Sequence, residues 1–310
     1  MNARKLTTFL ILGFLGLVVP TGVGAQEHPQ TAKGFVPDKV YSVGEVDAVN
    51  TFNGNLVATI PLSPEIPIRE GWSYGVKLTY HGSPWDFKLL NGTDSMGRIS
   101  WKSNAGVGWR VSFGELLSKD DTRNQYDAPV FVDADGAEHR FHRKLHETDP
   151  EDAGDGAKLL TQKVLYTRDG SYLRLRQATI NVVGGTTQGW IVEHPDGMMH
   201  LFNSLYELIG IEDRFQNRLT IDQRPDVWTL TDPHGRIQRL RFALRNIDQN
   251  LSRRVLSSVE IQGQGTTPSI WSCTYEQVTI PRACPDCPGS PNHCSTPDSL
   301  SVPFLVKILQ

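Results

Sequence analysis

Tyr166-Thr167-Arg168-Asp169-Gly170-Ser171-Tyr172-Leu173-Arg174-Leu175-Arg176 is the stretch from which the fold is read. Asp169-Gly170 is a turn pair, because glycine reaches the positive φ that a tight hairpin needs. After it, leucines and arginines alternate, which puts the leucines on one side of an extended chain and the arginines on the other. Working outward, the same design recurs at 132–142 (VDADGAEHRFH), 193–203 (EHPDGMMHLFN), 211–221 (IEDRFQNRLTI) and 230–242 (LTDPHGRIQRLRF). The turn positions Gly136, Gly170, Gly197, Asn217 and Gly235 are separated by 34, 27, 20 and 18 residues, closing toward a unit of about twenty with one hairpin each. Such a unit cannot bury its apolar face alone and must stack on its neighbours. Other period-2 runs lie at 56–60, 76–80, 189–193, 218–221 and 239–242, and Asn53-Gly54 adds a further turn. Helical signals are nearly absent. The one exception is 145–166, where an acidic loop leads into AKLLTQKVLY, readable as a helical turn or two or as another strand. The expected class is all-β, built from short antiparallel strands and hairpins.

Composition agrees. Of 310 residues 38% are hydrophobic, with 28 Gly and 19 Pro, which excludes a disordered or low-complexity chain. The net charge of −3 gives no reason to expect a polyanion, so nucleic acid is not an expected partner. Arg4-Lys5, the apolar run to Val19, and Val23-Gly24-Ala25 read as a secretory signal peptide over 1–25, cleaved after Ala25, into the periplasm or outside the cell. That run is too short for a bilayer, and no later segment is apolar enough to be a transmembrane span.

Export changes the reading of the cysteines. Cys273, Cys284, Cys287 and Cys294 are disulfide candidates, with three pairings open. A zinc site from these four, or with His293 replacing one thiolate, is the alternative, although C-x10-C-x2-C-x6-C lacks the second C-x2-C of a zinc ribbon. Free thiols in a truncated segment are the third reading. The surrounding Pro, Gly and Ser predict a loop.

Taken together, 50–64 (NTFNGNLVATIPLSP), 71–83 (GWSYGVKLTYHGS) and 106–117 (GVGWRVSFGELL), followed by WIVEHPDGMMHLF and IEDRFQNRLTI, resemble the opening of RHS/YD-repeat proteins. The resemblance covers about 45–245 and lies in the order and spacing of the segments. It implies an N-terminal β region over 26–126 that opens the array. RHS-like hairpin repeats over 127–262 would form a partial shell, with a Cys/Pro-rich loop and the start of a further strand over 263–310. In complete family members such a shell encloses or presents a C-terminal effector. The implied partners are therefore the remainder of a longer RHS polypeptide or its cargo. Tyr-Asp repeats proper, the C-terminal core motif and the variable tip are missing, and 302–310 reads as a strand entering another turn. A fragment of a longer product is expected.

Catalytic signatures are not found: no G-x-S-x-G, H-E-x-x-H, phosphate loop or dinucleotide fingerprint occurs. His139, His142 and His146 are close in sequence, but an odd offset puts His139 and His142 on opposite strand faces, and 138–147 is expected to be a wet hairpin strand. Asp133 and Asp135 lack the rest of a calcium loop. No catalytic residue, cofactor or metal is assigned. The expected function is a non-enzymatic secreted structural module. The alternative is a carbohydrate- or cell-surface-binding β-module reading surface glycans with Trp85 and Trp101 among the seven tryptophans. A secreted hydrolase assembled from distant loops is the weakest reading.

Overall fold

The computed structural model describes residues 41–43, 47–51, 54–90, 94–146, 164–248, 251–262, 267–281 and 299–310. The signal segment, Cys284, Cys287 and Cys294 lie outside them, as does much of 145–166. Every regular element among the described residues is a β-strand. The first nine are β1 (Tyr41–Val43), β2 (Asp47–Asn50), β3 (Leu56–Pro61), β4 (Ile66–Arg69), β5 (Trp72–Tyr74), β6 (Lys77–His81), β7 (Trp85–Leu90), β8 (Asp94–Ile99) and β9 (Trp109–Arg110). They form a five-stranded sheet in the order β1-β2-β3-β6-β9, with β4–β5 and β7–β8 as separate hairpins.

The remaining strands make a single antiparallel meander of fourteen, each hydrogen-bonded to the next in sequence. It opens with β10 (Glu115–Leu117), β11 (Val130–Val132), β12 (Glu138–His142) and β13 (Val164–Thr167). The middle is β14 (Arg174–Val182), β15 (Gly185–Glu193), β16 (Met199–Asn203), β17 (Leu208–Glu212), β18 (Arg218–Gln223) and β19 (Val227–Thr231). The long strands β20 (Ile237–Asp248), β21 (Leu251–Ile261), β22 (Ser269–Pro281) and β23 (Ser299–Leu309) end it. Of the two readings open for the end of 145–166, the strand is the one found at 164–166.

Five of the turns share one backbone pattern. In each, the first residue's N–H reaches the carbonyl four residues on and its carbonyl accepts from the residue three on, as in Asp213 N→Asn217 O 3.1 Å and Gln216 N→Asp213 O 3.0 Å. The fourth residue must then be left-handed, and it is Gly136, Gly197, Tyr206, Gln216 or Gly235. Gln216 (φ 69°), not Asn217, carries the left-handed backbone of its turn. The turn at Tyr206 has no glycine and was invisible to a glycine alignment. Gly197, Gln216 and Gly235 stand nineteen residues apart, so two strands and two turns make the repeating unit here.

The inner face of the meander is not empty. Leu62, Leu78, Val111 and Phe113 from the N-terminal segment share one apolar core with Phe131, Leu175, Phe202, Leu230, Leu240 and Leu256 from the sheet. Burying each of these side chains contributes roughly 1.5–3 kcal/mol against leaving it wet. β20 also touches β23, so the long strands roll. The outer edge of β23 then abuts the N-terminal segment, where Val107 N–H donates to the Pro303 carbonyl (3.0 Å). That edge is guarded there, where the sequence pointed to a bare apolar strand.

A second core lies on the opposite face. Ile180, Ile191 and Leu201 cluster with Ala178, Met199 and Ile209. The β14–β15 hairpin approaches β16 closely at Gly189, where a Cβ would overlap the Phe202 carbonyl oxygen. Arg218 holds the hairpin by its Nη1 on the Asn181 carbonyl. One dry and one wet face hold for β18, but around β15, β16 and β17 both faces are dry.

Candidate functional site

In a meander, alternate turns fall on the same rim, so those after β11, β13, β15, β17 and β19 lie side by side. Aspartate leads three of the five, at Asp133, Asp213 and Asp232, and Asp169 lies inside the turn after β13. One carboxylate oxygen caps the turn: Asp213 Oδ1 accepts from Phe215 N (2.8 Å) and Asn217 N (3.0 Å), and Asp232 Oδ1 from His234 N (2.9 Å) and Arg236 N (3.0 Å). The other oxygen is left for a tertiary partner. Asp213 pairs with Arg69 on β4, and Asp232 pairs with Arg236 and accepts from Tyr74 Oη on β5 (3.3 Å). Burial opposes the Asp213 charge, but hydrogen bonds from Asn217 and Arg69 outweigh it and take its carboxyl down to about 2. Return contacts complete the seat: His234 Nε2 to Ile68 O (2.9 Å) and Arg236 Nη2 to Pro67 O (2.5 Å). At the other end, buried Lys102 pairs with Glu138 and donates to Gly136 O (3.1 Å). The rim is where the N-terminal segment is anchored to the sheet.

Its most polar part is around Phe131. His139 is buried, with Nδ1 2.7 Å from Asp169 Oδ2 and Nε2 3.4 Å from Asp133 Oδ2. Burial works against its charge, yet the two carboxylates outweigh that and raise its pKa to about 9. Both carboxyls are held down in turn, despite their own burial, by hydrogen bonds from His139, from the Asp135 turn and from Ser171. The expectation of a wet strand over 138–147 is thus corrected for His139 and Phe141, which face the interior, while Glu138, Arg140 and His142 face away. His194 Nε2 lies 2.9 Å from His200 Nδ1, and both rings pack edge-on against Phe131. Burial, with the neighbouring His194, pushes the His200 pKa down to about 3.

His139 is held from both sides. Both nitrogens of His139 face carboxylates, so neither is offered to a reacting group. Ser171 Oγ donates to Asp169 Oδ1 (2.5 Å), which puts the aspartate between serine and histidine; a triad needs the histidine in the middle. Among the described residues no group of three or more His, Cys, Asp or Glu is placed to hold a metal ion.

Gly136, Gly170, Gly197 and Gly235 all have positive φ, and all sit on this one rim. The Asp-Gly pairs at 135–136, 169–170 and 196–197 and the His234-Gly235 pair point to them in the sequence. The histidine cluster could not be found that way, because His139, His194 and His200 come from strands and a turn far apart in sequence. Cys273 faces the main core from β22, and burial raises its thiol pKa to about 11. All seven tryptophans are half-buried: five pack on the main core, Trp85 on the cluster of Ile99 and Val302, and Trp101 on that of Leu117 and Val130. Trp101 also lies under the Arg123 guanidinium (4.9 Å). Among the described residues no helix is long and apolar enough to cross a membrane.

No protein-family model matches this sequence, and no curated protein does. Among solved structures, the crystal structure of TcdB2-TccC3 is similar at a TM-score of 0.40, with 11% identity over 90% of this chain and 16% of that one. The chain thus spans about a sixth of that protein's length, and a likeness of this size carries no argument about function.

Proposed function

We propose that the chain is a non-enzymatic, exported structural module: the opening of an RHS-type β-shell whose partners are the remainder of a longer polypeptide or its effector cargo. The observation that supports this reading is the uninterrupted meander β10–β23 with its inner face filled by the chain's own segment 62–113. Each ribbon buries its dry face in the core shared with that segment and with neighbouring strands, so no ribbon stands alone. The inner face here is occupied, so cargo would be enclosed by strands that follow, not by these. The rim anchors (Arg69, Tyr74 and Lys102) serve this role by fixing the plug to the wall.

The test is limited proteolysis of the protein expressed after signal cleavage, alone and with whatever sequence follows it in its gene. The expected result is resistance of the strands of the meander, β10–β23, and protection of the following segment. Rapid digestion of that segment, with the strands intact, would overturn containment. Binding on a broad glycan array, lost in Trp85→Ala or Trp101→Ala with the fold unchanged, would replace it with the surface-binding reading.

A further inference from the structure

Arg110, on β9, is one of the largest side chains that the fold buries completely. A guanidinium carries five N–H donors. The two on Nη2 are spent, on Ser112 Oγ (2.9 Å) and on Glu115 Oε1 (2.8 Å). Nε and Nη1 are buried too, and neither has an acceptor among the described residues. Buried donors of a charged group seldom stay unmet, because the water they gave up is not replaced.

The surroundings of Arg110 are positive. Glu115, the carboxylate that pairs with it, is shared with Arg123 through its other oxygen (3.3 Å). Gly136 brings a second buried cation alongside. Lys102 Nζ donates to its carbonyl (3.1 Å), and a Cβ placed on Gly136 would lie 3.9 Å from Arg110 Cδ and against the His81 ring. In both ion pairs the cation is the deeper partner: Arg110 side-chain exposure is 0% against 27% for Glu115, and Lys102 is 5% against 16% for Glu138. The carboxylates therefore lie toward solvent, and the interior around Gly136 is left electropositive. The free donors also fix the kind of ligand. A carboxylate or phosphate takes two parallel N–H groups from one edge of a guanidinium, and both such edges include Nη2, whose hydrogens are already used. A monatomic anion needs only one N–H, and Nη1 keeps both of its own.

We propose that Arg110 Nη1 holds a halide ion of chloride size, a fixed counter-ion where the N-terminal segment meets the turn between β11 and β12. The ion answers the excess positive charge of Arg110 and Lys102 and steadies the seat of the segment on the sheet. The proposal is independent of what the shell holds.

Urea melts of the intact chain test it, with sodium chloride exchanged for sodium gluconate at constant ionic strength. Above half-saturation the folded-to-unfolded ratio should rise about tenfold for each tenfold rise in chloride, since gluconate is too large to enter. In Arg110→Met the dependence should vanish. Should that variant not fold, Glu115→Gln keeps Arg110 in place and removes the competing carboxylate, and half-saturation should move to lower chloride. A bromide-soaked crystal should give an anomalous peak beside Nη1. Equal stability in the two salts, an equal chloride effect in Arg110→Met, an unmoved half-saturation in Glu115→Gln, or a water molecule in place of bromide would each overturn the site.

Discussion

His139 illustrates how a single residue's role follows from what its two nitrogens touch. With a carboxylate on each side, its charged form is favoured in the fold and not in the unfolded chain. Its contribution to stability is therefore complete below about pH 6.5 and is lost as pH rises toward about 9. Denaturant titrations of the protein and of His139→Gln should show a stability gap about 2–3 kcal/mol larger at pH 6 than at pH 9.5. A gap constant across that range would mean the clamp holds no charge. Neighbouring carboxylates such as Asp213 show the same economy at the turns, one oxygen serving the local loop and the other a distant strand.

At the scale of the element, the turns explain both what was legible in the sequence and what was not. Gly136, Gly197 and Gly235 could be located by eye because glycine is the residue that reaches φ near +80° without strain. Tyr206 and Gln216 occupy the same backbone position with side chains, and Tyr206 does so stacked on Trp190 (5.6 Å). At Tyr206 local propensity is overridden by packing on Trp190, whereas Gln216 is exposed, and a glycine search shifts the repeat by a residue at Asn217 and omits a turn at Tyr206. The backbone geometry makes a paired prediction. Gln216→Gly should stabilise the protein by up to about 1 kcal/mol in thermal or denaturant melts, and Gly235→Ala should destabilise it by about 1–2 kcal/mol. Equal effects of the same sign would mean the fourth turn position is not left-handed in solution. The β14–β15 hairpin is the counterpart case. Its alternation predicted one dry face, but its approach to β16 at Gly189 creates a second core on the far side, a contact that no local pattern encodes.

For the whole molecule, the decisive fact is that the N-terminal segment and the meander share one core. Leu78 is fully buried on β6, a strand of the small sheet, yet the cluster it belongs to continues into β19, β20 and β21. Leu78→Ala should cost about 2–5 kcal/mol, and hydrogen exchange in β20 should rise along with that in β6. Loss confined to the first 113 residues, with β20 protection untouched, would show two separately folding bodies.

Sequence alone determined the strand class, the antiparallel hairpins and the acidic turns, because side-chain alternation and the φ preference of glycine are properties of the chain within a few residues. Where the hairpins go was decided only in three dimensions. The seating of the N-terminal segment inside the sheet, the guard on β23 at Pro303, the Asp169 clamp on His139 and the packing of the His194 and His200 rings on Phe131 all join residues distant along the chain. Burial and hydrogen-bond pairing select such contacts from the assembled surface, and that surface exists only once the strands have stacked.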